Sequence, residues 1–351
     1  MVHNFSAGPC ILPQEVFKEA SEAILNFNNL GLSLIEISHR SAAFVDVMEE
    51  ARALVKELLN VPNGYTVLFL QGGASLGFLK AAYNMAGTHK KSAYINTGTW
   101  STKAIKEARF TGEVDVIASS EDKGFNYIPK GYTVPQDVDY LHFTTNNTIY
   151  GTQFKALPEV GNVPLVADMS SDIFSKEIDA SAFDLIYAGA QKNMGPAGTT
   201  VFIVKDEVFG RSPLQIPTML NLETHAKKDS MFNTPPVFAV YVSMLNLRWL
   251  KKNGGVKAIE AVNNKKAETI YNEIDRNDKF VGFAAKEDRS NMNATFNLVD
   301  DSLKERFDQL LKEANINGLK GHRSVGGYRA SMYNALPLSS VEAVVEVMRA
   351  L

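Results

Sequence analysis

Apolar positions recur along this chain with two periods, and the change of period lays out the elements. Between residues 14 and 26 the apolar side chains Val16, Phe17, Ala20, Ala23 and Ile24 fall on one face of a helix. A second helix is predicted over about 43–59. Short apolar runs then alternate with amphipathic stretches. Strands are predicted at 66–70, 92–96, 114–118, 140–144, 165–167, 185–188 and 200–204, and helices at 77–85 and 99–108. Such alternation implies a mostly parallel sheet covered on both faces, with ligands bound outside the carboxyl ends of its strands. From about Phe238 the pattern changes. Helices are expected at 237–250 and 256–275, a strand at 295–299, a helix at 302–314, a glycine-rich stretch at 321–331 and a last helix at 339–350. Ser339 with Glu342 reads as a capping box, and Pro337 as the boundary before it. The expected architecture is a large α/β domain over 14–250 and a smaller C-terminal α/β domain over 251–351. Residues 1–13 pack near the small domain, and a long helix bridges the two.

Composition narrows the classes. The chain has 351 residues, 45% of them hydrophobic, enough for two domains with a substantial core. Its formal net charge of -3 offers no broad basic field for nucleic acid. Like charges cluster only in short pairs such as Lys227-Lys228 and Lys251-Lys252. Cys10 is the one cysteine, so an intrachain disulfide is impossible, which fits a reducing compartment. The first nine residues lack a basic region followed by an apolar one, so no signal peptide is expected. No apolar run is long enough to span a bilayer. The expected location is the cytoplasm, with no membrane partner. The histidines His3, His39, His89, His142, His225 and His322 form no HExxH or Cys/His pattern, so no metal site is expected.

Candidate chemistry begins at two strand ends. One apolar run closes with Ala188, Gly189 and Ala190, then reaches Gln191 and Lys192; Gly195, Pro196, Ala197 and Gly198 follow. Small residues on both sides suggest close packing rather than a solvated tip. A desolvated lysine has a lowered pKa and serves as nucleophile and base. Asp168 closes an earlier apolar run. It is either a cap shared with Ser170 and Ser171, or the partner of a protonated ring nitrogen. A lysine and an aspartate at the ends of neighbouring buried strands are what pyridoxal 5'-phosphate (PLP) requires. The lysine holds the aldehyde as a Schiff base and the aspartate pairs with the pyridinium. The strand ending at Leu70 runs into Gly72, Gly73, Ala74 and Ser75. That is either a tight turn or a phosphate cradle at a helix N-terminus; beside Lys192 and Asp168 the cradle is favoured. Trp100 either stacks on a planar ring or plugs the core. His39-Arg40 and His322-Arg323, with Arg329 near the latter, are either ordinary surface charge or a converging oxyanion site. From sequence alone surface charge is the simpler reading.

Five separated stretches carry a resemblance that spans nearly the whole chain. They are Asn4-Phe5-Ser6-Ala7-Gly8-Pro9; Glu36-Ile37-Ser38-His39-Arg40; Ile186 to Asn193; Ser230 to Pro236; and Lys320 to Ser331. Together they resemble the phosphoserine aminotransferase family, among the class V PLP-dependent aminotransferases. The resemblance implies an aspartate-aminotransferase-like α/β fold. It implies PLP covalently held by Lys192, with Asp168 on the pyridine nitrogen, Trp100 stacked on the ring and Thr148 hydrogen-bonded near it. Ala74, Ser75 and Gln191 would surround the cofactor phosphate. Asn233 and Thr234 would reach that phosphate from the partner subunit of a homodimer with shared sites. Arg40, with His39, His322 and Arg323, would hold the substrate phosphate, and Arg329 the α-carboxylate. One position departs: many bacterial relatives carry arginine where this chain has Ser75, so backbone N–H groups and the Ser75 hydroxyl must do more for the cofactor phosphate. The implied reaction is transamination of O-phospho-L-serine with 2-oxoglutarate, giving 3-phosphooxypyruvate and L-glutamate, in serine biosynthesis. A second substrate, 4-phosphohydroxy-L-threonine on the route to pyridoxal phosphate, stays open. Cysteine desulfuration needs a cysteine late in the chain, which is absent. Alanine–glyoxylate-type transamination would not need two His-Arg pairs.

Overall fold

The structure is a computed structural model and describes residues 2–351. Its centre is a seven-stranded sheet in the order Tyr65–Leu70, Thr200–Lys205, Leu185–Gly189, Leu165–Asp168, Leu141–Thr144, Lys91–Asn96, Glu113–Ser119. Every pairing is parallel except the two made by Thr200–Lys205, which runs against both neighbours. The reason is connection length. Only ten residues separate Gly189 from Thr200, too few for the crossover a parallel return needs, so the chain folds straight back.

Alternate residues of each strand feed two cores, the period of two expected of a sheet covered on both faces. Val67, Phe69, Leu141, Phe143, Ala167, Ile186, Ala188 and Val201 pack toward helices Ala42–Leu58 and Val237–Lys252. Leu68, Leu70, Tyr94, Val166, Leu185, Tyr187 and Phe202 pack toward helices Gly73–Met85 and Thr99–Ala108. Helix Gly73–Met85 approaches very closely. A Cβ at Gly77 would lie 2.8 Å from Cδ2 of Tyr187. Gly77→Ala is therefore expected to lower stability by about 1–3 kcal/mol, the usual cost of overpacking a core. Thermal denaturation of the two proteins checks this; an unchanged midpoint would show that the helix shifts at no cost.

A third core forms around the antiparallel sheet Phe280–Gly282, Asn293–Leu298, Tyr328–Ser331. Helices Gly255–Arg276, Lys304–Glu313 and Leu338–Ala350 cover it. The N-terminus joins here: His3–Asn4 pairs in parallel with Ile316–Asn317, and Phe5 is fully buried in this core. Helix Gly255–Arg276 places Val256 and Ile259 in the core under the large sheet and Ala267, Ile270 and Ile274 in the C-terminal core, so it bridges the two.

One sequence expectation is corrected at the last helix. It begins at Leu338, with Pro337 as N-cap, and no side chain caps it. The carbonyl of Pro337 already accepts from Ser340 N at 3.0 Å, so Ser339 lies inside the first turn and forms no capping box. Residues 77–85 lie in a helix as expected, and that helix starts at Gly73. Gly72 and Gly73, both at positive φ, turn the chain into it four residues earlier.

Candidate active site

A cavity of about 350 Å³ opens at the carboxyl ends of the central strands. It is lined by Ala74, Ser75, Trp100, Thr148, Asp168, Gln191, Lys192, His322 and Arg329, nine of the residues singled out from the sequence. His39, Arg40, Arg323, Asn233 and Thr234 are not among its lining residues. Arg40, Arg323 and Thr234 are exposed on the surface. His39 keeps a buried Nε2 without a partner. The Thr234 carbonyl accepts from Gln71 Nε2 at 2.9 Å, which sets the Asn233-Thr234 pair beside the Gly72 turn.

Lys192 rides on the connection between the two antiparallel strands. Three amides, those of Lys192, Met194 and Gly195, donate to the Ala190 carbonyl at 2.7, 3.2 and 2.7 Å and coil the loop. Asn246 Nδ2 donates to the Asn193 carbonyl at 2.8 Å, and Asn334 N to Asn193 Oδ1 at 3.0 Å. From the other side the N-terminal segment presses on the loop. Cys10 Sγ donates to the Lys192 carbonyl, and a Cβ at Gly8 would lie 3.2 Å from Lys192 Cγ. The amine donates to Thr148 Oγ1 at 2.9 Å. Burial pulls the Lys192 pKa down to about 8; Asp168 opposes this and the Arg329 charge adds to it. A neutral amine is the nucleophile, so the rate at which apoprotein captures added PLP is expected to rise with pH up to about 8 and level off above it. Stopped-flow absorbance across pH 6–10 reads this. A rate still climbing beyond pH 10 would mean an ordinary exposed lysine.

Asp168 ends its strand beside Tyr187 in register, and its residue is almost wholly buried. Oδ1 accepts from Ser170 N at 2.9 Å and Ser170 Oγ at 2.6 Å. No donor among the described residues reaches the other oxygen. Burial pushes the Asp168 pKa up, against the Ser170 hydrogen bonds and the Lys192 charge. No helix follows Asp168, so it does not cap one. At the opposite wall, helix Gly73–Met85 leaves its first N–H groups without intrahelical partners, and its first turn holds no acidic residue. A Cβ at Gly72 would collide with Leu76, which ties the turn to glycine.

Arg329 lies on the strand Tyr328–Ser331 and donates through Nη1 to the Thr148 carbonyl at 3.2 Å, while its buried Nε has no partner. The segment after that strand is fixed by Lys266, whose Nζ donates to the carbonyls of Met332, Tyr333 and Leu336 at 2.9, 2.8 and 3.1 Å. His322 lines the cavity with its pKa lowered, first by burial and then by Arg329, Arg323 and Lys103.

These residues fit PLP on several counts. A buried carboxylate keeps one oxygen free for a ring N–H, and its raised pKa would be relieved by a cationic ring. An indole forms a wall, and its Nε1 is buried without a partner. An uncharged helix N-terminus offers N–H groups to a phosphate. A lysine amine of lowered pKa stands between them.

Residues 2–344 match the family model for aminotransferase class V. The chain belongs to the class V aminotransferases, enzymes that use PLP. Within the class its relatives are specific: a phosphoserine aminotransferase from Flavobacterium psychrophilum is 61% identical over 350 residues, covering 99% of this chain and 98% of that protein. The solved phosphoserine aminotransferase of Bacillus circulans subsp. alkalophilus superposes with a TM-score of 0.96 at 43% identity, over 100% of this chain and 98% of that one. A PLP-bound phosphoserine aminotransferase from Trichomonas vaginalis gives 0.93 at 35% identity, over 99% and 100%. The family and cofactor expected from the sequence are thereby borne out.

Several residues that build the site carry no role in it from sequence alone. Ala7, Gly8, Asn146 and Ser170 line the cavity. Ser170 carried a signal, a serine two residues beyond a strand-end aspartate, but it was read only as a cap. Ala7 and Gly8 stood inside a recognised motif without a role.

Proposed function

We propose that this chain transaminates O-phospho-L-serine with 2-oxoglutarate, giving 3-phosphooxypyruvate and L-glutamate. The observation that carries the reading is the pairing, in one cavity, of the PLP-fitting Lys192 and Asp168 with the Arg329 guanidinium and the His322 imidazole. Neither group has a carboxylate partner among the described residues. Bound PLP supplies an electron sink conjugated to the substrate Cα. The chain's own groups do the rest. Lys192 Nζ would hold the cofactor through its aldehyde carbon and would move the Cα proton. Thr148 Oγ1, in hydrogen-bond contact with that amine, aims it. Asp168 holds positive charge at the ring nitrogen. Ala74, Ser75 and Gln191 hold the cofactor phosphate, and Trp100 covers the ring. Arg329 takes the α-carboxylate. His39, Arg40, His322 and Arg323 take the distal phosphate, and the same guanidinium groups accept the side carboxylate of glutamate.

The reading includes a homodimer, with Asn233 and Thr234 reaching the partner's cofactor phosphate. Support comes from exposed apolar residues beside polar groups that do not line the cavity. Phe232 and Phe238 flank Asn233-Thr234, and Leu30, Leu32 and Ile35 precede His39-Arg40. A large unit over 14–250 and a small one over 251–351 belong to the same reading, supported by the separate C-terminal core. So does action in serine biosynthesis in the cytoplasm, with 4-phosphohydroxy-L-threonine as a further substrate; no described helix is long and apolar enough to cross a membrane.

Absorbance tests the reaction. Phosphoserine added to the holoenzyme should convert the visible PLP band to the amine form, and 2-oxoglutarate should restore it. If alanine converts the band as well as phosphoserine does, the substrate assignment fails and the alanine–glyoxylate type takes its place.

A further inference from the structure

Lys103 is the cation of this site that neither the motifs nor the cavity lining brings forward. It stands one helical turn beyond Trp100 on Thr99–Ala108, on the same face. Its Nζ lies 4.7 Å from the Trp100 ring centroid, and Lys192 Nζ lies 6.0 Å from the same centroid. Two ammonium groups therefore share the indole that walls the cavity. Lys103 is exposed, and no carboxylate among the described residues pairs with it. The one carboxylate a helical turn away, Glu107 at i+4, forms no ion pair with it. Its charge reaches His322, as do those of Arg323 and Arg329. Lys103, Arg323 and Arg329 thus lie near enough to act on His322, which lines the cavity, and none of them forms a salt bridge among the described residues.

We propose that Lys103 is a specificity-determining residue whose charge, held over Trp100 at the cavity mouth, selects substrates with a doubly charged distal group over those with a single carboxylate. The inference rests on the phosphoserine reading above. Attraction to a fixed cation scales with ligand charge. Its effect on a singly charged end is then about the square root, in fold-change, of its effect on a phosphate dianion.

Lys103→Met keeps the apolar stem on Trp100 and removes only the charge; Lys103→Arg restores it. With the holoenzyme, Lys103→Met is expected to raise the KM for phosphoserine about fivefold and that for glutamate about twofold, the scale of a solvent-exposed ion pair. kcat and the PLP absorbance should stay unchanged, and Lys103→Arg should recover most of the KM. A second arm titrates the holoenzyme with inorganic phosphate and follows tryptophan fluorescence; Lys103→Met should weaken that binding by a similar factor. Equal KM changes for the two substrates, unchanged KM and phosphate binding, or a shifted cofactor band would each overturn the proposal. A wild-type enzyme that ignores phosphoserine, yet loses phosphate binding in Lys103→Met, would sink the substrate reading and leave the Lys103 assignment standing.

Discussion

Lys192→Ala is expected to retain its fold and lose turnover by at least about 10⁴-fold, the upper range for a positioned acid–base group. Two functions go at once, anchoring of the cofactor and movement of the Cα proton, so the loss should exceed that of either alone. No neighbour can substitute. Arg329 stays protonated at any working pH, Thr148 is a neutral hydroxyl, and Cys10, whose thiol burial pushes up to about 12, turns its sulfur to the Lys192 carbonyl. The fold should tolerate the change because the loop is held through its backbone and Asn193, not through the amine. The amine gives up one hydrogen bond, to Thr148, worth about 1 kcal/mol. Turnover and thermal midpoint measured together check this. Residual turnover above a few per cent would move the chemistry to another group; a collapsed midpoint would mean that the amine is structural.

Asp168→Asn separates charge from structure at the other strand end. An asparagine Oδ1 can still accept from Ser170 N and Oγ, so the turn that follows is kept. Ser170 Oγ in turn accepts from Gly189 N at 3.2 Å, at the start of the lysine loop, so the loop stays supported as well. What is lost is the negative charge proposed to face the ring nitrogen. Turnover is expected to fall about 10²–10³-fold, the scale of removing one preorganised electrostatic contact. Stability should hold or rise, since burial already disfavours the charged carboxylate. Asp168→Ala should be worse on both counts, because it leaves the Ser170 donors unpaired. If Asp168→Asn is as active as the parent, the carboxylate has no partner on the cofactor.

The central sheet was legible because its signals are local. Apolar runs of strand length such as Val67 to Leu70 and Leu185 to Ala188, set between amphipathic stretches, name their own elements. Lys192 and Asp168 could be singled out for the same reason, since each interrupts such a run. Contacts between distant parts of the chain were not legible. Nothing near Gly8 reports that Lys192 Cγ will lie against it, and nothing near Arg329 reports the Thr148 carbonyl. His322 and Arg329 stand among the candidates from the residues alone, but only the resemblance favours a site over surface charge, because in isolation a basic residue in a glycine-rich loop looks like surface charge. The false capping box at Ser339 has the opposite origin. The local pattern was present, but Pro337 claimed the cap first.

The antiparallel strand Thr200–Lys205 has a consequence for how this chain can vary. Gly189 and Thr200 face each other in one ladder, and Ala190 N donates to the Thr199 carbonyl at 3.0 Å, so both ends of the lysine loop are counted against the same sheet. Other strand ends lead into helices or long excursions that can absorb an inserted residue. Here an extra residue between Ala190 and Thr199 would have to be taken up inside the hydrogen-bonded loop that positions Lys192, because the ladder fixes both of its ends. Within that interval Lys192 and Asn193 are tied to their identities as well, the one by its amine and the other by its contacts to Asn246 and Asn334. Loop-length diversification would therefore do better at the exposed glycine turns, such as the one around Gly124, than here.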